Sequence, residues 1–184
     1  TLLGSVSSSC ATQATVPVAI VPPYCPTDRP LNDIVVGVDG SRHAARALRW
    51  AIDHLAPGGR IRAIGALPIW GAVGGGSGPI EDRLADQIEA SIGRVLEDVA
   101  PVSDDHREIV VIPVGRDARV VLREAAEDSD LLVIGRRGLS RISFLVVGSV
   151  AAALTHHPNV PTVVIPTIAH TPDEDQSDLS EGAQ

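Results

Sequence analysis

A chain of 184 residues, 44% of them hydrophobic, is long and apolar enough for one ordinary domain with its own core, and with only 2% aromatics that core must be built from Val, Ile, Leu and Ala. All 15 basic residues are Arg, which excludes a Walker A lysine, a Schiff-base lysine and a kinase-type strand lysine within this chain. A net charge of −8 with so few aromatics argues against a nucleic-acid partner, and no uninterrupted apolar stretch is long enough to span a membrane.

Met is absent, so the chain is expected to be a piece of a longer protein. Cys10 and Cys25 stand at no metal-ligand spacing and read as reduced cysteines of a cytoplasmic protein. Residues 1 to 23 lack the basic start of a signal peptide and are Ser- and Thr-rich in the middle. They repeat a later part of the chain. Gly4-Ser5-Val6 matches Gly148-Ser149-Val150, an offset of 144 residues. At the same offset, without a gap, Val16-Pro17 matches Val160-Pro161 and Pro22 matches Pro166, while Val18-Ala19-Ile20-Val21 parallels Thr162-Val163-Val164-Ile165. Residues 1–23 therefore read as the last helix and strand of a preceding copy of the same domain. The alternative is a stand-alone chain that begins with an extra helix and strand. Residues 24–32, with Pro26 and Pro30, read as a linker, 33–166 as the complete domain, and 167–184 as an acidic, disordered tail.

Within the domain, Asp33 to Asp39 reads as a buried first strand. Gly40-Ser41 turns the chain, and Ser41 can cap a helix in which Ala44, Ala45, Leu48, Ala51, Ile52 and Leu55 recur at helical spacing. Pro57-Gly58-Gly59 ends it. Arg60 to Leu67 is a second strand, Gly71 to Gly78 a flexible connection, and Ile80 to Ala100 a helix. Arg107 to Pro113 gives a third strand and Asp117 to Asp128 a short helix; Asp104-Asp105 and the acids at 128–130 read as helix-end or turn residues. The run Asp130-Leu131-Leu132-Val133-Ile134 is a fourth strand, followed after a loop by a helix to about His157 and a last strand from Val160 to Ile165. Alternating strands and helices with such apolar strands indicate a parallel sheet covered on both faces.

The chemistry concentrates after the fourth strand. Gly135-Arg136-Arg137-Gly138 is followed by nine residues and then Gly148-Ser149, where a helix opens and Ser149 is placed to cap it. Glycines let backbone approach a ligand, and a helix N-terminus offers unpaired N–H groups and a positive dipole end, a combination that suits a phosphate. The same residues also suit a surface loop with a C-cap Gly and an N-cap Ser, and spacing alone does not separate the two.

G-x-x-G, nine residues, then G-[S/T] resembles the nucleotide-binding motif of ATP-binding universal stress proteins, and Gly135, Gly138, Gly148 and Ser149 all fall in place. The resemblance covers about Asp33 to Pro166. It implies an open, doubly wound, five-stranded parallel sheet in the order 3-2-1-4-5, Rossmann-like and of the adenine nucleotide alpha hydrolase type, with helices on both faces. It implies ATP as the ligand, with Mg²⁺ held largely by phosphate oxygens and water. Carried over by position, Asp39 would bond ribose hydroxyls or help hold the metal, Val38 would line the adenine pocket, and Ala66 would offer backbone groups to the adenine edge. Gly135 and Gly138 would let the loop pass close to ribose and phosphates, and Gly148, Ser149 and Val150 would present backbone N–H groups to the outer phosphates. Arg136 and Arg137 are not required by the motif; they either add charge beside the phosphates or, the preferred reading, form a solvated loop face.

No G-x-S-x-G, H-E-x-x-H or acid/base carboxylate pair is present, and the adjacent His156-His157 do not share a helix face. The reading that follows is a nucleotide-dependent sensor or switch in stress response, with at most slow ATP hydrolysis. Two alternatives stand beside it. Family members dimerise through their last strands, so the fragment could be an interaction module in which residues 16–21 lie beside residues 160–165, as a homodimer contact or as tandem pairing within one chain. An unrelated nucleotide-using α/β enzyme of the PP-loop or electron-transfer-flavoprotein type is disfavoured, because the glycine motif lies late and neither early phosphate-loop pattern is evident.

Overall fold

The computed structural model describes residues 10, 11, 13–23, 25, 26, 28–66, 86, 89, 90, 93, 108–114, 116–138, 147–156 and 158–166. These form β1 (Val18–Ile20), β2 (Asp33–Val38), α1 (Arg42–His54), β3 (Arg60–Ala66), β4 (Glu108–Val114), α2 (Ala118–Ala126), β5 (Leu131–Gly135), α3 (Ser149–His156) and β6 (Thr162–Ile165). Asp86, Glu89, Ala90 and Gly93 are helical, within the helix expected over 80–100. The remainder of that helix, the Gly-rich connection at 71–78 and the acidic tail lie outside the described residues.

The strands lie in one sheet in the order β1-β6-β5-β2-β3-β4. The continuous aliphatic runs occupy its middle. Ile34, Val35 and Val36 of β2 and Val133 of β5 are fully buried, and all four residues of β6 are buried. Such strands are apolar on both sides because helices cover both faces. β4, at one edge, carries Pro113, whose missing N–H is tolerated there. Strands β2 to β6 pair in parallel.

The five strands within residues 33–166 are joined by a sixth. Residues 18–20 add β1, antiparallel to β6, with Val18 opposite Val164, Ala19 opposite Val163 and Ile20 opposite Thr162. At the 144-residue offset Ala19 corresponds to Val163, its own partner. The pairing is therefore reciprocal about that point, as in an isologous contact between two like strands.

On one face, α1 buries Ala44, Ala47, Leu48, Ala51 and Ile52 against Ile34, Val36, Leu131 and Val133. These positions recur every three or four residues, while Arg42 and Asp53 are exposed. Ser41 caps α1, its Oγ accepting from Ala44 N–H at 3.2 Å. On the other face Val121 and Leu122 of α2 and Ala151 and Leu154 of α3 form a second core with Val35, Ile64 and Ile134, joined by Ala11 and Ile20 of the N-terminal segment.

Charge fixes the amino ends of the strands. Asp130 Oδ2 accepts from the N–H groups of Asn32 and Asp33 at 2.8 and 3.0 Å, and Arg29 pairs with its other oxygen at 2.9 Å. Asp130 is thus a clamp between the starts of β2 and β5 rather than a simple turn acid. Asp33 receives Arg60 at 2.6 Å and Arg62 at 3.0 Å. Burial alone would raise the Asp33 carboxyl, but hydrogen bonds and charge from Arg60 and Arg62 outweigh it and hold it below 3.8.

Replacement of the fully buried Leu48 by Ala is expected to cost about 2–5 kcal/mol in urea unfolding, because it empties the contact between α1 and the sheet. Since the folded-state pKa of Asp33 is depressed, its stabilisation is present above 3.8 and is lost as pH falls through and below that value. The urea midpoint is expected to drop on acidification below about pH 4, and Asp33→Asn to flatten that part of the profile.

Candidate functional site

At the carboxyl end of β2 the chain turns through Asp39, Gly40 and Ser41. Gly40 adopts φ 80, a left-handed conformation that side chains disfavour. Asp39 Oδ1 accepts from Ser41 N–H at 3.0 Å, so the turn itself orients the carboxylate. The neighbouring β5 ends at Gly135. A Cβ at Gly135 would stand 3.0 Å from His43 Cβ and 3.1 Å from the Arg137 carbonyl. At Gly138 a Cβ would collide with Asp39 Oδ2. The motif glycines thus let the loop lie against the Asp39 turn.

The loop then returns to where it left the sheet. Gly148 N–H donates to the Arg136 carbonyl at 2.8 Å, and Arg136 N–H donates to the Ile165 carbonyl at the end of β6 at 2.8 Å. The Gly148 carbonyl accepts from Ala152 N–H at 2.9 Å, which makes Gly148 the capping position of α3. Ser149 is therefore the first helical residue, not the cap. Amides of a helix's first turn have no intrahelical acceptor.

A cleft of about 210 Å³ lies between these parts. Val38, Asp39, Gly135, Gly138, Gly148, Ser149 and Val150 all line it. Ala66 closes β3 opposite Val114, and its side chain and surroundings fall outside the described residues. Ile64, two residues earlier on the same strand, lines the cleft, with Leu122 and Ile134 completing an apolar wall. Gly37 and Ala118 also contribute. Leu122, Ala118 and Ile134 stand at the spacing of ordinary core residues, which does not mark them in the sequence as cleft-lining; alternation along β3 is the signal that points to Ile64.

Arg136 and Arg137 correct the preference for a solvated face: both line the cleft and are half-buried. With Asp39 they are the ionisable groups among the described lining residues, one carboxylate against two guanidiniums. Burial, and then the neighbouring Arg137, pull Arg136 below its ordinary value. His43, packed behind Gly135, is lowered first by burial and then by Arg46, against the opposing pull of Asp39. Among the described residues no three of His, Cys, Asp and Glu gather as a metal-ligand set. His156 ends α3, and His157 is outside the described residues. Cys10 and Cys25 are free thiols. No described helix is long and apolar enough to cross a membrane.

A mostly parallel sheet, helices on both faces and a glycine-lined cleft at the carboxyl ends of two central strands define a Rossmann-like α/β protein. More narrowly, the chain belongs to the universal stress protein family, whose profile residues 31–166 match. Universal stress protein Rv1996 of Mycobacterium tuberculosis is 33% identical over 174 residues, covering 89% of this chain and 53% of its own length. The chain thus spans about half the length of the curated relatives it matches. Among solved structures, a universal stress protein in complex with cAMP aligns at a TM-score of 0.54 and 23% identity over 75% of this chain and 98% of that one. A universal stress protein from Archaeoglobus fulgidus DSM 4304 aligns at 0.55 and 20% identity over 94% of this chain and 56% of that one.

The two ends of the loop are expected to differ in tolerance. Gly135→Ala presses on His43 and should lower stability by about 1–3 kcal/mol in urea unfolding. At Gly148 a Cβ meets nothing nearer than 3.4 Å, so Gly148→Ala should cost under about 1 kcal/mol, the small penalty of Ala at a helix cap.

Proposed function

We propose that the cleft binds an adenine nucleotide, ATP with Mg²⁺, and that the protein acts in stress response as a nucleotide-dependent sensor or switch. The observation that carries this reading is the convergence of Gly135, Gly138, Gly148 and Ser149 with Asp39 on one cleft at the carboxyl edge of β2 and β5. The amides opening α3 and the guanidinium of Arg137 supply positive potential for phosphates. Val38, Ile64 and Leu122 supply an apolar wall for a base, and Asp39 an acceptor for ribose hydroxyls. The complex of a family neighbour with cAMP supports the adenine class. Mg²⁺ in this reading is held by phosphate oxygens and water, with Asp39 as the one described carboxylate on the cleft. ATP hydrolysis in this reading is at most slow and needs only a positioned water and the metal.

The β1–β6 pairing supports a second reading, an interaction module that associates through the last strand. Its reciprocal register fits a tandem protein in which residues 1–23 end a preceding domain of the same kind, or a homodimer built on the same edge. A cytoplasmic location belongs to the same proposal and is supported by the two free thiols.

Calorimetric titration of ATP–Mg²⁺ tests the first reading. Binding by the parent, weakened at least about tenfold, or 1.4 kcal/mol, in folded Asp39→Ala and Gly138→Val, is the expected result. No heat of binding at millimolar nucleotide would leave the interaction module as the better account.

A further inference from the structure

Arg136 ties three parts of the molecule together. Its N–H donates to Ile165 of β6 and its carbonyl accepts from Gly148, each at 2.8 Å. Its guanidinium reaches a different place: Nη1 donates to the Ala14 carbonyl at 2.9 Å, across 122 residues of sequence. Ala14 N–H donates to Cys10 O at 3.0 Å, so the Ala14 carbonyl stands at the carboxyl end of a helical turn. Carbonyls there lack an intrahelical donor and carry the negative end of the dipole. A partly buried guanidinium satisfies both the acceptor and the charge. The rest of the segment is held by pairing of β1 with β6 and by burial of Ala11 and Ile20 in the second core. Of these anchors, Arg136 is the one that also lines the cleft.

We propose that Arg136 is a positioning residue that couples the cleft to the seat of residues 10–20, so that nucleotide in the cleft and docking of this segment strengthen each other. The inference rests on the nucleotide reading above. An anion held by the amides of Ser149 and Val150, at the opening of α3, fixes the Gly148 N–H against the Arg136 carbonyl. That steadies the Arg136 backbone, from which the side chain reaches Ala14. Because coupling between two binding equilibria is reciprocal, a well-seated segment tightens nucleotide binding by the factor with which nucleotide tightens the seat.

Hydrogen exchange on the whole chain, with and without ATP–Mg²⁺, tests this beside calorimetry on the same samples. In the parent, saturating ATP–Mg²⁺ should slow exchange at residues 18–20 by about fivefold or more, and in Arg136→Ala it should leave that exchange unchanged. Val18→Asp, at a half-buried position of β1 that does not line the cleft, should loosen the segment and weaken ATP–Mg²⁺ binding by a similar factor, and it keeps the test open if Arg136→Ala does not fold. Nucleotide binding with unaltered exchange at 18–20, or Val18→Asp binding as tightly as the parent, overturns the coupling alone. A parent that binds no ATP–Mg²⁺ overturns the nucleotide reading and the coupling together.

Discussion

The adjacent strands β2 and β5 leave the sheet toward opposite faces, and the rest of the site depends on that divergence. β2 runs into α1, which packs on one core, and β5 leads to α3, whose Ala151 and Leu154 pack on the other. The parallel register sets Ile34 beside Leu131 and Val36 beside Val133, so the two strands end side by side. No helix can cover the point where both chains depart, and a crevice is left at the carboxyl edge. The burial that makes both strands continuous aliphatic runs therefore also creates the cleft.

The two ends of the sheet are built differently. At the amino ends, carboxylates and guanidiniums lock the strands together: Asp130 holds the first amides of β2, and Asp33 is fastened to Arg60 and Arg62. At the carboxyl ends backbone dominates. Asp39 is held by its own turn, and Gly138 has no side chain because the Asp39 carboxylate fills that space. Placing the dense ion pairs at one end leaves N–H groups and two arginines at the other.

Much of this was legible in the sequence because the signals were physical. β2, β5 and β6 are short aliphatic runs bounded by polar residues or glycine, and α1 repeats its apolar residues every three or four positions. The G-R-R-G and G-S pairs marked the loop that closes on Asp39. The repeat of Val16-Pro17 at Val160-Pro161 singled out the segment that becomes β1, although not its direction. What was less legible depends on long-range placement. Ile64, Leu122 and Ala118 carry the spacing of ordinary core residues, and only the sheet's end exposes them to a cleft. The Arg136 guanidinium reads as solvated until Ala14 arrives from the other end of the chain. Ser149 looks like a cap in a linear reading, but the Gly148 carbonyl accepts the first bond of α3 and takes that place.

The central claim is that ligand is held where β2 and β5 diverge, and an amide-resolved NMR titration of the whole chain with ATP–Mg²⁺ tests it most directly. The account predicts that the largest shift changes fall on Asp39, Gly135 to Gly138 and Gly148 to Val150. Amides at the amino ends, such as Asp33 and Asp130, should stay still. Shift changes centred on another surface, or none at saturating nucleotide, would contradict it.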